Sequence, residues 1–457
     1  MDFVIAGVSF PCGVRELGDV ATRHGFNPIY VDHPHNAESI KDKLEPLLLE
    51  SALSENLRRR HGVYLPLLES WVTQGIALPD EAKLQFDKRA GIISRSKIAL
   101  TLALVDANLS FVPRLPVHNL DDAMNAAVKC GYPVVLRSDC GYSGRGVSVV
   151  HSPGDLRCHW KSQAEAGENH DYVEMRSILG SFEDVKVVEP WLNGDEWSID
   201  CIVGPTAVHL IRVCEKVVAI VAGRPVTLGY RIIDSEDLFE ELMWIAPQWC
   251  RALYAMDAIS FASFDVRRNQ NGDLVPLDFG TRLGGDCIPY LVRKAEHGVN
   301  IYADALDAAL SGSGRAFSRL EKGHAIVHAF AQDPGIFSGI SAINHGEIVS
   351  MKPRGFIVGQ AEGAQTFRKI GSILTHFRTY DEFRFACLNL AARKREDTNR
   401  TSRGRGEWSS LECNHNHSVS RDAITQSREP CVCFYNVEIS KTENLSTSSR
   451  HDKSEPA

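Results

Sequence analysis

Short apolar runs alternate with amphipathic stripes along this chain as far as about residue 390, and then the pattern stops. The run "FVIAGV" near the start reads as a strand, Val14 to His24 as a helix and "NPIYVD" as a second strand. Strand, helix, strand opens a parallel α/β unit, expected over residues 1–90, with 40–90 helical and amphipathic in patches. From 91 the spacing changes. A helix over Ser96 to Ala107 leads through "FVPRLPV" to a helix over Leu120 to Cys130 and the strand "YPVVLRS". A glycine-rich loop and the strand "GVSVVHS" follow, and after a polar helical interval come "VKVVEPWL" and "EWSIDCIVG", joined at Asn193-Gly194. "HLIRVCEKVVAIV" continues the sheet, and a long amphipathic helix covers Glu236 to Met256. Residues 287–310 read as mostly helical, and 324–390 as a strand-rich piece with a closing helix. Beyond 391 the chain is rich in Ser, Thr and Arg without periodicity, a composition that predicts a disordered tail over 391–457.

The most informative stretch is "FASFDVRRNQNGDLVPLDFGTRLGGD", residues 261–286. Asn271-Gly272 is a strong two-residue hairpin signal, and with those residues as the turn Asp265 lies directly opposite Asp278. In that register Ala262, Phe264, Val266, Val275, Leu277 and Phe279 share an apolar face. Ser263, Asp265, Arg267, Pro276, Asp278 and Gly280 look into a site. Opposed carboxylates need a proton, an arginine or a cation between them. Mg²⁺ suits such a pair, because it takes carboxylate oxygens and is completed by waters and substrate phosphates. A solvated acidic face with Arg267 and Arg282 as partners accounts for the spacing equally well.

Composition narrows the picture. The chain has 457 residues, 44% hydrophobic and 24% charged, which suits two or three globular domains. A net charge of −8 gives no electrostatic case for a nucleic-acid partner. No apolar run approaches the roughly 18 residues of a membrane span. The start reads as a strand rather than a signal peptide. The 12 cysteines are scattered singly, as thiols are in a reducing compartment, so a cytoplasmic setting is expected. Cys413, His415, His417, Cys431 and Cys433 are zinc-type residues, but their spacing is not that of a familiar finger.

"YPVVLRSDCGYSGRGVSVV" places Gly141, Gly144 and Gly146 between two strands. It is not a phosphate loop of the G-x-x-x-x-G-K-[ST] type, which must feed a helix; it reads as a hairpin flap whose backbone N–H groups can close over phosphates.

These pieces, in this order, resemble the ATP-grasp superfamily over roughly residues 90–390. "SRSKIAL" is similar to the family's segment with a nucleotide-binding lysine, and "YPVVLRSDCGYSGRGV" to its second nucleotide-binding strand and flap. "VVEPWLNGDEWSID" looks like its adenine hinge, and "LDFGTRLGGD" like its metal-binding strand and catalytic arginine. The resemblance implies an α/β (α+β) ATP-grasp fold: an N-terminal parallel α/β domain at 1–90, then the ATP-grasp domain at 91–390, with the flap in 91–190 and the metal hairpin in 191–390. It implies that Lys97 and Arg137 contact the ATP phosphates and that Ser143, Gly144, Arg145 and Gly146 form the flap. Glu189, Trp191 and Leu192 would lie around adenine, with Glu196 near the ribose. Asp265 and Asp278 would hold Mg²⁺, for which Mn²⁺ can substitute, and Arg282 would stabilise a tetrahedral intermediate. The implied activity is ATP-dependent joining of a carboxylic acid to an amine through an acyl phosphate, with small-molecule partners and room for a homodimer. Arg137 stands where the family usually has lysine, the two aspartates replace commoner glutamates, and Gly280 stands where many members have asparagine. The last departure resembles the amino-acid and dipeptide ligase branch. An ATP-dependent carboxylase or formate-using ligase, and a degenerate nucleotide-binding protein, are the alternatives.

Overall fold

The computed structural model describes residues 1–392 and 436–440, except Pro11, 37–43, 46, 51–52, 142–143, 145, 166–169, 181–184, 222, 313–318, 331–334, 342–345, 352–356 and 359–368. Strands β1 (Asp2–Ala6), β2 (Asn27–Asp32), β3 (Leu47–Leu49), β4 (Gly62–Pro66) and β5 (Leu84–Gln85) form a parallel sheet in the order β3-β2-β1-β4-β5. Phe3 and Ile5 of β1 pack into one core and Val4 and Ala6 into another, so the sheet is covered on both faces. That double burial explains a departure from the expected helical character of 40–90. "GVYLP" of β4 is buried at every position and has no alternation to betray a strand. Among the described residues, the helices of that stretch are Glu55–Arg58, Glu69–Ile76 and, across its end, Lys88–Arg95.

A second, antiparallel sheet contains β6 (Leu115–Val117), β7 (Val134–Ser138), β8 (Ser148–Val150) and β9 (Lys186–Pro190) in the order β6-β9-β7-β8. Helix Leu120–Cys130, begun by the Asn119 side chain accepting from the Asp122 N–H, packs Ala123, Ala126 and Ala127 against it. The largest sheet holds β10 (Glu196–Val203), β11 (Val208–Val221), β12 (Arg224–Ile232), β13 (Ser260–Arg268), β14 (Leu274–Gly280) and β15 (His324–Phe330). Beyond β16 (Gly335–Ser341), it is completed by β17 (Glu347–Met351) and, past β18 (Ile357–Val358), by β19 (Lys369–His376); the order is β14-β13-β10-β11-β12-β15-β19-β17. Helix Glu236–Leu253 covers one face through Leu242, Ala246, Trp249 and Leu253. The strands β9 and β10, consecutive in sequence, belong to different sheets, so the Trp191–Asp195 link crosses between them and the sheets enclose a cleft.

Of the polar tail, residues 391–392 end helix Tyr380–Ala392, and Asn436–Ser440 is strand β20, which pairs antiparallel with β16, itself also paired with β18. The rest of the tail, with its zinc-type residues, lies outside the described residues. Among the described cysteines none is in a disulfide, and among the described residues no helix is long and apolar enough to cross a membrane.

Candidate active site

Lys97 is placed by a cap and a clamp. Ser96 precedes helix Lys97–Asp106, and its hydroxyl oxygen accepts the Ala99 N–H at 3.0 Å while donating to Asp139 Oδ2 at 2.7 Å. Asp139 Oδ1 takes the Ile98 N–H at 2.7 Å. The first helical residue is thereby tied to the end of β7, and the Lys97 side chain, 2% exposed, reaches Asp278 Oδ1 at 2.5 Å.

Asp265 and Asp278 are direct cross-strand partners, as the turn signal predicts, but the register is reached differently. The loop has three residues, Gln270 to Gly272, closed by Asn269 N–H to the Asp273 carbonyl at 2.8 Å, with Gly272 at φ 87°. Leu277 is then a bulge, an extra residue in β14 that restores the Asp265–Asp278 pairing. The expected apolar face changes accordingly. Val275 pairs with Arg267 and packs with Val112 and Leu192, while Leu277 lines the cleft. Ala262, Phe264, Val266 and Phe279 do share the core.

The cleft is a cavity of about 500 Å³ between the sheets, lined by Lys97, Arg137, Gly144, Glu189, Trp191, Leu192, Glu196, Asp265, Asp278 and Arg282 among others. Gly146 is outside this lining; its carbonyl accepts from Gln163 at 2.9 Å. Ser143 and Arg145 lie outside the described residues. Gly144 and Gly146 hold φ of 70° and 66°, which glycine adopts without strain, between the antiparallel pair β7 and β8.

Each aspartate has its own lysine. Lys216 Nζ lies 2.7 Å from Asp265 Oδ2 and 2.6 Å from Glu196 Oε1, and Arg267 Nε lies 2.9 Å from the other Glu196 oxygen. Burial alone would raise the Asp278 carboxyl, yet Lys97 and Arg137 hold it at about 2. Burial does raise Asp265, with Glu196 and Asp278 adding to it against Lys216. Burial would lower Lys216, but Asp265 and Glu196 push it well above its ordinary value. Arg267 and Arg282 are therefore not the aspartates' partners, since Arg282 Nε pairs with Glu69 Oε2 at 2.5 Å. Lys216→Met leaves Asp265 without its lysine and Glu196 with Arg267 alone. Breaking a buried pair costs about 3–5 kcal/mol, and the low end is expected here because Asp265 is 32% exposed. Urea denaturation of the unliganded protein measures it.

Near the end of β9, Glu189 is held by Arg114 Nε at 2.7 Å and faces Arg137 Nη1 at 3.6 Å. The Trp191 N–H is donated to the Pro133 carbonyl, and the Leu192 carbonyl accepts from Arg267 Nη1. These two backbone groups are engaged within the protein. The Arg267 guanidinium stacks 4.4 Å above the Trp191 ring.

Past the hairpin, Gly284 and Gly285 divide their tasks. The Gly284 N–H donates to Asp200 Oδ1 at 2.8 Å, and a Cβ there would stand 2.2 Å from Arg212 Nη2. Its close approach is to the fully buried Asp200–Arg212 pair. At Gly285 a Cβ meets only Arg282 Nη1, at 3.8 Å, beside the cavity. Gly284→Ala is expected to cost about 1–3 kcal/mol of stability, while Gly285→Ala leaves the melting temperature nearly unchanged. Calorimetry of the two variants checks both.

Sequence reasoning missed Lys216, Glu69 and the Arg114 contact. Lys216 had a signal, a charge in the middle of the apolar strand "VCEKVVAIV". Glu69, from helix Glu69–Ile76 on the N-terminal sheet, had none. It bridges Arg282 and Arg95, whose Nη1 lies 2.5 Å away; burial would raise its carboxyl, but the two arginines hold it low.

The sequence model of the carbamoyl-phosphate synthase L chain ATP-binding domain matches residues 96–187. Among solved structures, the chain is similar to an L-amino acid ligase from Bacillus licheniformis, with TM-score 0.61 and 18% identity over 86% of this chain and 97% of that one. It is also similar to the N5-carboxyaminoimidazole synthetase from Staphylococcus aureus complexed with ADP (TM-score 0.59, 14% identity, 85% and 96% covered). A third is the biotin carboxylase domain of Hydrogenobacter thermophilus 2-oxoglutarate carboxylase, in complex with MgADP, ADP and bicarbonate (TM-score 0.54, 12% identity, 86% and 90% covered). The chain has the ATP-grasp fold. The matched ATP-binding segment, residues 96–187, lies within that fold.

Proposed function

We propose that this protein is a carboxylate–amine ligase that uses ATP to form an amide or peptide bond between amino-acid-like substrates. The observation that carries this reading is the convergence, in one cavity, of an opposed aspartate pair, two lysines and an arginine held from the N-terminal sheet. In this reading residues 1–90 form the N-terminal unit and 91–390 the ATP-grasp unit.

The donor set fits a hard divalent cation. Two carboxylates face each other across a strand pair, and each is neutralised by a lysine that can turn to a phosphate when the cation takes its place. Mg²⁺ bound by Asp265 and Asp278 would supply charge neutralisation for the transferring phosphoryl group. Lys97 and Arg137 would hold the phosphates, Trp191, Leu192 and Leu277 the adenine, and Glu196 the ribose. A carboxylate oxygen of the acid attacks the γ-phosphorus, and the bond to the β-phosphate oxygen breaks to release ADP. The amine then adds to the acyl carbon, Arg282 stabilises the oxyanion, and phosphate departs as the nitrogen gives up its proton. Closure of the glycine flap would keep water from the acyl phosphate.

ADP release measured against a panel of acids paired with amines, with product masses, tests the proposal. ADP formation that needs both substrates, with an amide mass, supports it. ADP formation driven by bicarbonate or formate with no amine contradicts it, and nucleotide binding without turnover across the panel points to a degenerate site.

A further inference from the structure

Beyond Arg282 the cavity wall carries a group that none of these roles uses. Asp286 and Cys287 hold φ of 60° and 69° immediately before helix Ile288–Ala295. Two successive non-glycine residues in the left-handed region are a costly arrangement, and such strain concentrates at functional sites. It aims the Asp286 carboxylate at the cavity, where its Oδ2 lies 2.8 Å from His328 Nε2 and its Oδ1 pairs with Lys369. The two outer members are accessible, Asp286 at 37% and Lys369 at 29%, whereas His328 is fully buried. His328 is fixed in turn through Nδ1, 3.0 Å from Ser372 Oγ, and by the Tyr230 ring edge-on at 5.9 Å.

A carboxylate anchored from behind by a buried histidine, and facing one lysine, has the chemistry to take a zwitterion. An ammonium replaces Lys369 on Asp286, and the freed lysine takes the ligand's own carboxylate, so the charge count of the pocket is unchanged. We propose that Asp286 and Lys369 bind the amine-bearing substrate and select an α-amino acid over a simple amine, with His328 as the positioning residue for Asp286. The proposal rests on the ligase reading and names the chemistry of its second substrate.

The test follows ADP release by the full chain at saturating ATP and acid, with each amino acid compared with its decarboxylated amine, for example alanine against ethylamine. The wild type is expected to favour the amino acid at least tenfold in kcat/KM. Lys369→Met is expected to erase that preference, and Asp286→Asn to raise KM for the amino acid tenfold or more with KM for ATP within twofold. A merely structural ion pair would lower the melting temperature without moving the amine KM, and that result overturns the proposal. Equal use of amino acid and amine by the wild type overturns it without any variant and leaves the ligase reading standing. ADP release that needs no amine removes both.

Discussion

Asp278→Asn is expected to reduce ATP turnover to the background rate while leaving the protein folded. Asparagine keeps the shape of the side chain and its acceptor oxygen for the neighbouring N–H of Phe279, which the carboxylate now takes at 2.9 Å. What it removes is the charge that Lys97 and Arg137 hold in its ionised form at about 2, so the wild-type group is an anion throughout the working range. The variant leaves Asp265 as the one remaining carboxylate of the opposed pair, and burial already raises Asp265 toward its neutral form. One raised carboxyl is a poor site for the divalent cation that the proposed reaction uses. Lys97 also loses its ion-pair partner and stays near the phosphates, so nucleotide binding measured by titration calorimetry should persist. Turnover near the wild-type rate would remove the metal assignment.

Arg282→Lys is the second large effect. Lysine retains one positive charge beside Glu69, so the contact between the N-terminal sheet and the hairpin survives in part. It loses the planar fork that places Nε on Glu69 and Nη1 on the Leu283 carbonyl at once. That fork fixes the remaining donor edge, and loss of a preorganised oxyanion donor lowers kcat by about 10²–10³. KM for ATP should change little, because in the proposed reaction the arginine acts on the acyl group and not on the nucleotide. Steady-state kinetics with both substrates varied separates the two parameters; an effect confined to KM for ATP would place Arg282 on the nucleotide instead.

The parts of this site that could be read from the sequence are those made by local order. A turn signal and alternation put Asp265 opposite Asp278, and a helical pattern beginning at Ser96 put Lys97 at a helix start. The bulge at Leu277 could not be read, because it compensates a loop one residue longer than the Asn-Gly signal suggests. The outcome for the aspartates was right, but the face assigned to Val275 was not. Strand β4 was hidden for the opposite reason, since burial on both faces leaves no pattern. Glu69 could not be found at all: its role depends on a contact with Arg282, 213 residues away in the chain. Long-range pairs between sheets are the part of a site that one sequence shows least.

In the proposed reaction the acid substrate is activated by phosphorylation on its own carboxylate. Supplying that acid with oxygen-18 in its carboxyl group, together with ATP and the amine, tests it directly by the mass of the released phosphate. One labelled oxygen is expected in each phosphate, carried over when the amine displaces it. Unlabelled phosphate, formed alongside the amide, would contradict it.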